Sequence, residues 1–313
     1  MDLPLWALAF TVLDWPERHK AEAWAALQAG VEPTLSTEQA GALARLEADL
    51  PRRRQEARDR EARLLLPGDR ETDPQETAAV EALLAPLPYP VALWVRGTLP
   101  PPGPRLAIVG SRQASSRGKA RTRAWAKAFT EAGLAVVSGL ARGIDGAAHL
   151  GALEAVPGPS GLTGTWGILG SGFDHPYPPE HVPLMARMVA AGGGVITPFP
   201  PEAPPRAWHF PRRNWLLAAW TYGVLVTEAR LKSGSLVTAR LALDLGKELW
   251  VCPGSPEDPS AEGPNFLLRE GAARICLSPS DLLEDLAPAR SLDKPPPIGS
   301  ILSPLGVPPW PGS

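Results

Sequence analysis

The chain has 313 residues, 44% hydrophobic and 20% charged, which is typical of a soluble protein with one large domain and one or two small ones. No apolar stretch approaches the ~20 residues needed to cross a bilayer, and Asp2 stands where a signal peptide would be basic. A net charge of −2 gives no sign of a polyanion-binding protein, and Cys252 and Cys276 are too few for a zinc cluster, so we expect a cytoplasmic, metal-free protein without membrane association.

Residues 1–85 are predicted to form a small helical domain. Apolar residues recur at helical spacing in residues 1–65, and Ser36 or Thr37 could cap a helix after a break at Pro33. The Arg- and Glu-rich stretch 52–63 carries both signs of charge, which favours an exposed helix over a nucleic-acid arm. A short helix over Glu76–Leu84 follows, and the apolar run Val91–Arg96 predicts a strand.

From Arg105 onward, short apolar runs alternate with helical segments. Strands are predicted within RLAIVG, LAVVSG, TWGILG, GVITPF, GVLVTE, ELWVCPG and ARICL, and helices over residues 117–132, 146–155, 179–191, 213–220, 236–245 and 264–270. Continuous apolar strands separated by helices predict a mostly parallel Rossmann-like α/β sheet with helices on both faces, over residues 86–287. The Pro-rich residues 288–313 are predicted to be a disordered tail.

Charge is distributed unevenly along the chain. Residues 1–100 hold 11 basic and 16 acidic residues, whereas residues 105–247 hold 16 basic and 8 acidic ones. Six basic residues and no acidic residue lie between Arg105 and Trp125. Solvated helix faces explain about half of these charges, but the segregation concentrates positive potential on the α/β domain, which matters more for phosphate binding than the net charge does.

Several predicted strands end in a turn that combines glycine with a hydroxyl or a base. These turns are Gly110-Ser111-Arg112, Ser138-Gly139 followed by Arg142, Gly170-Ser171-Gly172, and Lys232-Ser233-Gly234-Ser235. Glycine lets the backbone approach an oxyanion, and a helix that follows adds its dipole and free N–H groups. One such turn would be explained by the packing of a strand on a helix. Three or four at one sheet edge predict a row of phosphate sites, which is what a nucleic-acid backbone presents.

Nucleotide cofactors fit the sequence less well. A dinucleotide-binding fingerprint needs G-x-G-x-x-G in the first strand-to-helix turn, where this chain has GSRQAS. No G-x-x-x-x-G-K-[ST] motif occurs, which argues against a P-loop for ATP. We therefore expect no cofactor.

Residues 206–215 mix basic and aromatic side chains in the order Arg-Ala-Trp-His-Phe-Pro-Arg-Arg-Asn-Trp. Stacking of bases on aromatic rings beside cations holds single strands without sequence preference. Phe210 could stack on a base or anchor the loop to the core, whereas the core role is favoured for Trp215. Arg212 and Arg213 oppose the preference of a helix start for acids, which points to a ligand.

Together these segments resemble the DNA-processing protein A (DprA/Smf) family. The matching stretches are LAIVGSR (106–112), VVSGLARGIDGAAHLGAL (136–153), GILGSGFDHPYPPE (167–180), FPRRNWLLAAW (210–220), VLVTEARLKSGSLVTARLAL (224–243), VCPGSPEDP (251–259) and GPNFLLREGA (263–272). They occur in the family's order and cover roughly half of the chain. The resemblance implies an extended Rossmann-like fold, a homodimer, single-stranded DNA binding that protects incoming DNA, and help in loading the RecA recombinase during natural transformation.

The resemblance makes Arg112 the principal phosphate-binding residue and Lys232 a second contact to the DNA backbone. The full set of predicted DNA-binding residues is Gly110, Ser111, Arg112, Ser138, Gly139, Arg142, Phe210, Arg212, Arg213, Asn214, Lys232, Ser233, Gly234 and Ser235. Ser138, Gly139 and Arg142 are expected to line the pocket between the two cations. Asp145 is expected to cap the helix it precedes, and Glu228 to pair with a pocket arginine.

Two features depart from the family pattern. Many relatives end in a winged-helix domain, which the residues after Ala287 do not provide, and no residue match supports a sterile-alpha-motif-like domain in residues 1–85.

We expect no catalysis. The main rival is a nucleotide phosphoribohydrolase of the related lysine-decarboxylase-like fold, which needs a PGGxGTxxE loop; the segment Lys232–Thr238 stands in that place without a catalytic acid. A protein-interaction module, in which the glycine turns would be purely structural, predicts no affinity for DNA.

Overall fold

The computed structural model describes residues 3–87, 89–157 and 161–290. Within these residues a nine-stranded sheet carries helices on both faces. The strands are β1 Arg63–Leu65, β2 Leu93–Gly97, β3 Arg105–Val109, β4 Ala135–Ser138, β5 Trp166–Ile168, β6 Gly194–Thr197, β7 Gly223–Val226, β8 Glu248–Val251 and β9 Arg274–Ile275. The helices are α1 Leu3–Val12, α2 Glu17–Gln28, α3 Thr37–Asp59, α4 Pro74–Leu84, α5 Ser116–Glu131, α6 Ile144–Ala152, α7 Val182–Ala190, α8 His209–Trp220, α9 Gly234–Asp244, α10 Glu262–Arg269 and α11 Pro279–Arg290, with a 3₁₀ turn at Pro179–His181.

The strand order is β1-β2-β6-β5-β4-β3-β7-β8-β9. The strands from β6 to β9 in this order are parallel to one another, and β2 and β1 extend the sheet as an antiparallel edge. The predicted mostly parallel α/β sheet is thereby confirmed. In chain order, β4, β5 and β6 are added on one side of β3. Strands β7, β8 and β9 are then added on its other side, so the direction of strand addition reverses at β3. Open α/β sheets bind their ligands beyond the carboxyl ends of the strands at such a reversal, here between β3 and β7.

Helices bury both faces of the central strands. On one face, Val224 and Val226 of β7 share a hydrophobic cluster with Leu216 of α8 and Leu236 of α9. On the other face, Leu225 shares a cluster with residues of α5, α6 and α11. Strands covered on both sides have no polar face, and this is why their sequences are continuous apolar runs rather than alternating patterns.

The N-terminal region contains a strand that the sequence pattern had placed in a helix. Strand β1 pairs antiparallel with β2, so that Leu64 lies opposite Trp94. The prediction of helices throughout residues 1–65 is therefore wrong for Arg63–Leu65, because Leu64 and Leu65 are buried in a strand that pairs with β2. Leu5 and Leu8 of α1 pack in the same cluster as Trp94. The hydrophobic core thus continues across the predicted boundary at residues 85 and 86, and a separate N-terminal domain stays a prediction.

Helix α11 is the last described element and packs on the face of the sheet that α5 also covers. Leu282 and Leu286, one turn apart, are buried in the same cluster as Phe129, and the indole N–H of Trp250 donates to Asp285 at 2.8 Å. Residues 288–290, predicted to begin a disordered tail, are the last residues of this helix. The rest of that predicted tail, residues 291–313, lies outside the described residues. Across the described ranges, no helix is long and apolar enough to cross a membrane.

Candidate functional site

A pocket of about 560 Å³ opens at the carboxyl edge of the sheet, at the reversal between β3 and β7. The turn after β3, the turn after β7, the start of α8 and the start of α6 form its walls. Its lining residues are Val109, Gly110, Ser111, Arg112, Gln113, Ala141, Asp145, Phe210, Pro211, Arg213, Asn214, Leu217, Arg230, Lys232, Ser233, Gly234, Ser235, Val237 and Thr238. Ten of the fourteen predicted DNA-binding residues are therefore brought together in one cavity.

The turn after β3 is fixed by its backbone and presents Arg112. A Cβ atom on Gly110 would lie 2.6 Å from Ile144 and 2.7 Å from the carbonyl oxygen of Glu228, so only glycine fits there. The Ser111 N–H donates to that same carbonyl oxygen at 2.7 Å. Arg112 itself is exposed, and its guanidinium lies 5.1 Å from the centre of the Phe210 ring. A rigid turn thus carries a cation whose hydrogen-bond donors face solvent.

The turn after β7 leads directly into helix α9. Ser233 caps this helix, because its Oγ accepts a hydrogen bond from the Ser235 N–H at 3.3 Å, and the two hydroxyls lie 2.6 Å apart. The first turn of α9 holds no acidic residue, and Lys232 is exposed just ahead of it. A Cβ atom on Gly234 would meet no atom within 4 Å, so the backbone at this position is open to a ligand. Free N–H groups, the helix dipole and a lysine together form a cradle for an anion.

A buried arginine and a buried aspartate of opposite charge form the floor of the pocket. Arg213 is only 4% exposed and donates from Nη1 to the carbonyl oxygen of Ile168 at 3.0 Å. Burial lowers the pKa of Arg213 to about 10, against the opposing effect of the Asp145 carboxylate, so the guanidinium is still charged at neutral pH. Burial also raises the pKa of Asp145, although Arg213 and the N–H groups of Ala141 and Gly139 counteract this effect. The two oppositely charged groups therefore partly offset the cost of each other's burial at the base of the pocket.

Asp145 and Glu228 both have partners that differ from the expected ones. Asp145 lies inside the first turn of α6 and accepts from the N–H groups of Gly139 at 3.1 Å and Ala141 at 3.3 Å, so it orders the preceding turn rather than capping the helix it was expected to precede. Glu228 accepts from the Ser115 N–H at 2.9 Å and the Ser115 hydroxyl at 2.6 Å. The expected pairing of Glu228 with a pocket arginine is therefore wrong, because the carboxylate accepts its hydrogen bonds from Ser115 at the start of α5.

Four of the predicted DNA-binding residues do not line this pocket. Ser138 is buried and donates from Oγ to the carbonyl oxygen of Ile108 at 2.6 Å, and the Gly139 N–H is held by Asp145. The expectation that they line the pocket together with Arg142 is wrong, because both lie in the packed interior behind the turn.

The other two are basic residues that already have partners. Arg142 forms an ion pair with Glu180 and lies 5.6 Å from the centre of the Tyr177 ring. Arg212 donates to the Tyr89 hydroxyl at 3.3 Å. Contact of these four residues with DNA stays a prediction.

The pocket also contains lining residues that the sequence patterns did not single out. Arg230 is exposed and lies on the rim beside Lys232, and Gln113, Val237 and Thr238 complete the wall. Arg230 follows the end of β7 by four residues. This position would have marked it as a candidate if the pairing of β7 with β3 had been known from the sequence. In the part of the chain that the structure describes, Arg112, Arg230 and Lys232 have no ion-pair partner, which leaves three cations on one rim.

Comparisons with known proteins agree with this architecture. The chain is similar to protein Smf of Escherichia coli, with 40% identity over 223 residues that cover 71% of this chain and 56% of Smf. It is also similar to the DNA processing protein DprA of Bacillus subtilis, with 38% identity over 199 residues that cover 63% of this chain and 64% of DprA. The chain thus spans less than two thirds of the length of these two relatives.

Solved structures give the same picture. DNA processing protein A from Streptococcus pneumoniae superposes with a TM-score of 0.72 at 26% identity, covering 91% of this chain and 99% of that one. DNA processing protein A from Helicobacter pylori superposes with a TM-score of 0.60 at 26% identity, covering 73% and 97%. The latter structure is described as showing the single-stranded DNA binding mode of that protein.

The sequence profile of a single family covers the site described above. The profile of DNA recombination-mediator protein A matches residues 76–287, more than half of the chain, and this range includes the whole pocket. The resemblance predicted from the motifs is confirmed, and the chain belongs to the DNA recombination-mediator protein A family.

Proposed function

We propose that this protein binds single-stranded DNA in the crevice between β3 and β7 and acts by binding rather than by catalysis. The observation that carries the proposal is the convergence of two glycine-containing turns on one pocket rim. Three cations, Arg112, Arg230 and Lys232, lie on this rim without an ion-pair partner among the described residues. Phosphates would be held by these side chains and by the N–H groups at the start of α9. Such contacts carry no base information, so binding is expected to be sequence-independent and salt-sensitive.

The aromatic wall of the pocket supports a single strand over a duplex. Phe210 is half-buried, with Arg112 over its ring and the Tyr177 ring 5.8 Å away in an edge-on arrangement. Unstacked bases of a single strand can use such a ring, whereas the bases of a duplex are already stacked. The Helicobacter pylori relative, which is described as a single-stranded DNA binder, supports the same choice.

The wider role that we propose follows the family. The protein would act in the cytoplasm as a homodimer, protect incoming single-stranded DNA during natural transformation, and help to load the RecA recombinase onto it. The family name, which denotes a recombination mediator, and the names of the relatives as DNA processing proteins support this role. Sedimentation velocity of the chain alone and with a long oligonucleotide tests the dimer. RecA filament assembly on coated DNA tests the loading step.

The rival function, hydrolysis of a nucleotide, finds no suitable acid at the turn after β7. The pocket carboxylate, Asp145, is held by two backbone N–H groups and by Arg213, and Glu228 is held by Ser115. Incubation with nucleoside monophosphates should therefore release no free base. Release of a base that depends on Asp145 would overturn the non-catalytic part of the proposal.

The DNA-binding proposal is tested by fluorescence anisotropy of a labelled oligonucleotide across a salt series. For single strands, each phosphate contact contributes about 0.7 to the slope of log affinity against log salt. Arg112→Ala and Lys232→Ala should each lower the slope by about this amount. Arg187→Ala, which removes an exposed cation on α7 outside the pocket, is the matched control and should leave the slope unchanged. Wild-type affinity and slope in both pocket variants would show that the site is assigned wrongly.

A further inference from the structure

A second cavity, of about 550 Å³, lies on the other side of the turn that carries Arg112. Helices α5 and α6 and the segment Glu180–Leu184 enclose it, and its lining residues are Lys119, Ala120, Arg123, Gly143, Gly146, Ala147, Leu150, Glu180, His181 and Leu184. The turn after β3 separates the two cavities, because Gly143 packs directly on the carbonyl groups of Ser111 and Arg112. Gly143 has a φ of +76°, so this close approach requires glycine on both steric and conformational grounds.

The charges of this second cavity favour an anion. Arg123 pairs with Glu154, and the acidic member of the lining, Glu180, is neutralised by Arg142. Lys119 is exposed and has no ion-pair partner among the described residues. The cavity therefore presents one uncompensated positive charge at its mouth.

A histidine and a glycine shape the inner end of the cavity. Nδ1 of His181 lies 2.9 Å from the carbonyl oxygen of Leu140, to which it must donate because a carbonyl oxygen only accepts. In the neutral imidazole tautomer that makes this hydrogen bond, Nε2 is the acceptor nitrogen. Cε1 of the same ring would lie only 2.9 Å from a Cβ atom on residue 146, so the His181 ring fits here only because residue 146 is a glycine.

The start of helix α5 points to the same function. Its first turn holds no acidic residue, and the cations Arg117 and Lys119 lie within its first four positions. Cations at a helix N-terminus oppose the dipole, so this arrangement weakens the helix unless a ligand compensates it. Both side chains are exposed, and the helix begins after the carboxyl end of β3.

We infer that the second cavity is a subsite for the backbone of the same DNA strand, reached by a strand that leaves the first pocket over Arg112. Its ligand is a phosphate with its attached sugar, held by Lys119 and bordered by His181. This inference rests on the proposed DNA-binding function and extends it from one pocket to a continuous track across the edge of the sheet. The track predicts that affinity continues to rise with oligonucleotide length after the first pocket is filled.

The experiment measures anisotropy with labelled oligothymidylates from about four to about sixteen nucleotides, a range that spans typical single-strand site sizes. Lys119→Ala removes the charge, and Ala120→Phe places a large ring in the cavity without changing any charge. Lys127→Ala is the matched control, because Lys127 lies two turns further along α5 and pairs with Glu131 at 3.8 Å. Residue 120 is exposed on the helix surface, so the ring is not expected to disturb folding.

For long oligonucleotides, Lys119→Ala should lower the salt slope by about 0.7, which corresponds to about fivefold in affinity at 0.1 M salt. Ala120→Phe should cause a similar loss. The shortest oligonucleotides should bind both variants as they bind the wild type, and Lys127→Ala should match the wild type at every length.

Two results would overturn the inference. One is wild-type binding by both variants at every length, and the other is an equal loss at all lengths, which would show only a general charge effect. Failure of the proposed function itself looks different, because Arg112→Ala and Lys232→Ala would then also bind every oligonucleotide like the wild type.

Discussion

Arginines are frequent both in helix α3 and around the crevice between β3 and β7, but the two regions use them differently. In and around α3, Arg52 pairs with Asp49 at 2.5 Å, Arg54 with Asp69 at 2.9 Å, and Arg60 reaches across to Asp174 at 2.8 Å. At the crevice, Arg112 and Arg230 have no ion-pair partner among the described residues. Basic composition alone does not mark a nucleic-acid site. The DNA site that we propose rests instead on cations without acidic partners on the rim of a pocket.

The largest effect on stability is expected from Arg213 and Asp145, the two oppositely charged residues buried beneath the rim of the crevice. Arg213→Met would leave the buried Asp145 carboxylate without its counter-charge. Breaking a buried pair by removing one partner costs about 3–5 kcal/mol, so the free energy of unfolding should fall by about that amount. Chemical denaturation without DNA measures it.

A double variant separates the loss of the pair from the loss of packing. Arg213→Met combined with Asp145→Asn should recover part of the stability that Arg213→Met loses, since no unpaired charge is then buried. If the stability loss of the double variant relative to the wild type equals the sum of the two single-variant losses, the two side chains do not act as a pair.

The next effect concerns the pH dependence of stability, to which the buried His149 side chain of α6 contributes. His149 is fully buried, its Nδ1 lies 3.0 Å from the Thr165 hydroxyl, and burial lowers its pKa from 6.5 to about 3. Between these values the unfolded chain binds more protons than the folded one, so stability falls as the pH drops below about 6.5. By pH 4 the loss from this group should reach roughly 3 kcal/mol.

The comparison that isolates His149 is a denaturation series from pH 7 to pH 4 on the wild type and on His149→Gln, which cannot titrate. The variant should show a flatter dependence on pH. An equally steep loss in both proteins would assign the acid sensitivity to other groups, of which His209, with a pKa lowered to about 4, is the first to examine.

A smaller effect distinguishes two arginines that look alike in the sequence, since each lies close to the end of a strand. Arg230 is exposed on the pocket rim, whereas Arg142 must first leave Glu180 to reach a phosphate. Arg230→Ala should weaken single-stranded DNA binding about fivefold at 0.1 M salt, and Arg142→Ala should weaken it less. Anisotropy at fixed salt ranks the two variants. The opposite ranking would show that DNA binding breaks the Arg142–Glu180 pair.

The same two arginines show how much of the fold and of the candidate site could be predicted from the sequence. Continuous apolar runs predicted the strands from β3 to β9, because a sheet buried on both faces leaves no other pattern. The placement of β7 beside β3 depends on pairing between segments more than 100 residues apart, and no local pattern encodes it. For that reason the predicted set included Arg142, whose partner lies 38 residues away, and omitted Arg230. The short strand β1 was missed for a similar reason, since an arginine and two leucines after a charged helix give no periodicity.

The smallest effect is expected in helix α3, where the cations are already paired. Arg52→Ala removes an exposed residue that pairs with Asp49 and Glu56 on its own helix. Surface pairs of this kind contribute little, so the melting temperature should shift by less than about 2 °C. The DNA affinity and its salt slope should be those of the wild type, because the helix lies outside the proposed track. A slope lowered by about 0.7, as expected for Arg112→Ala, would mean that DNA also binds the N-terminal region and that ion pairing does not separate the two regions.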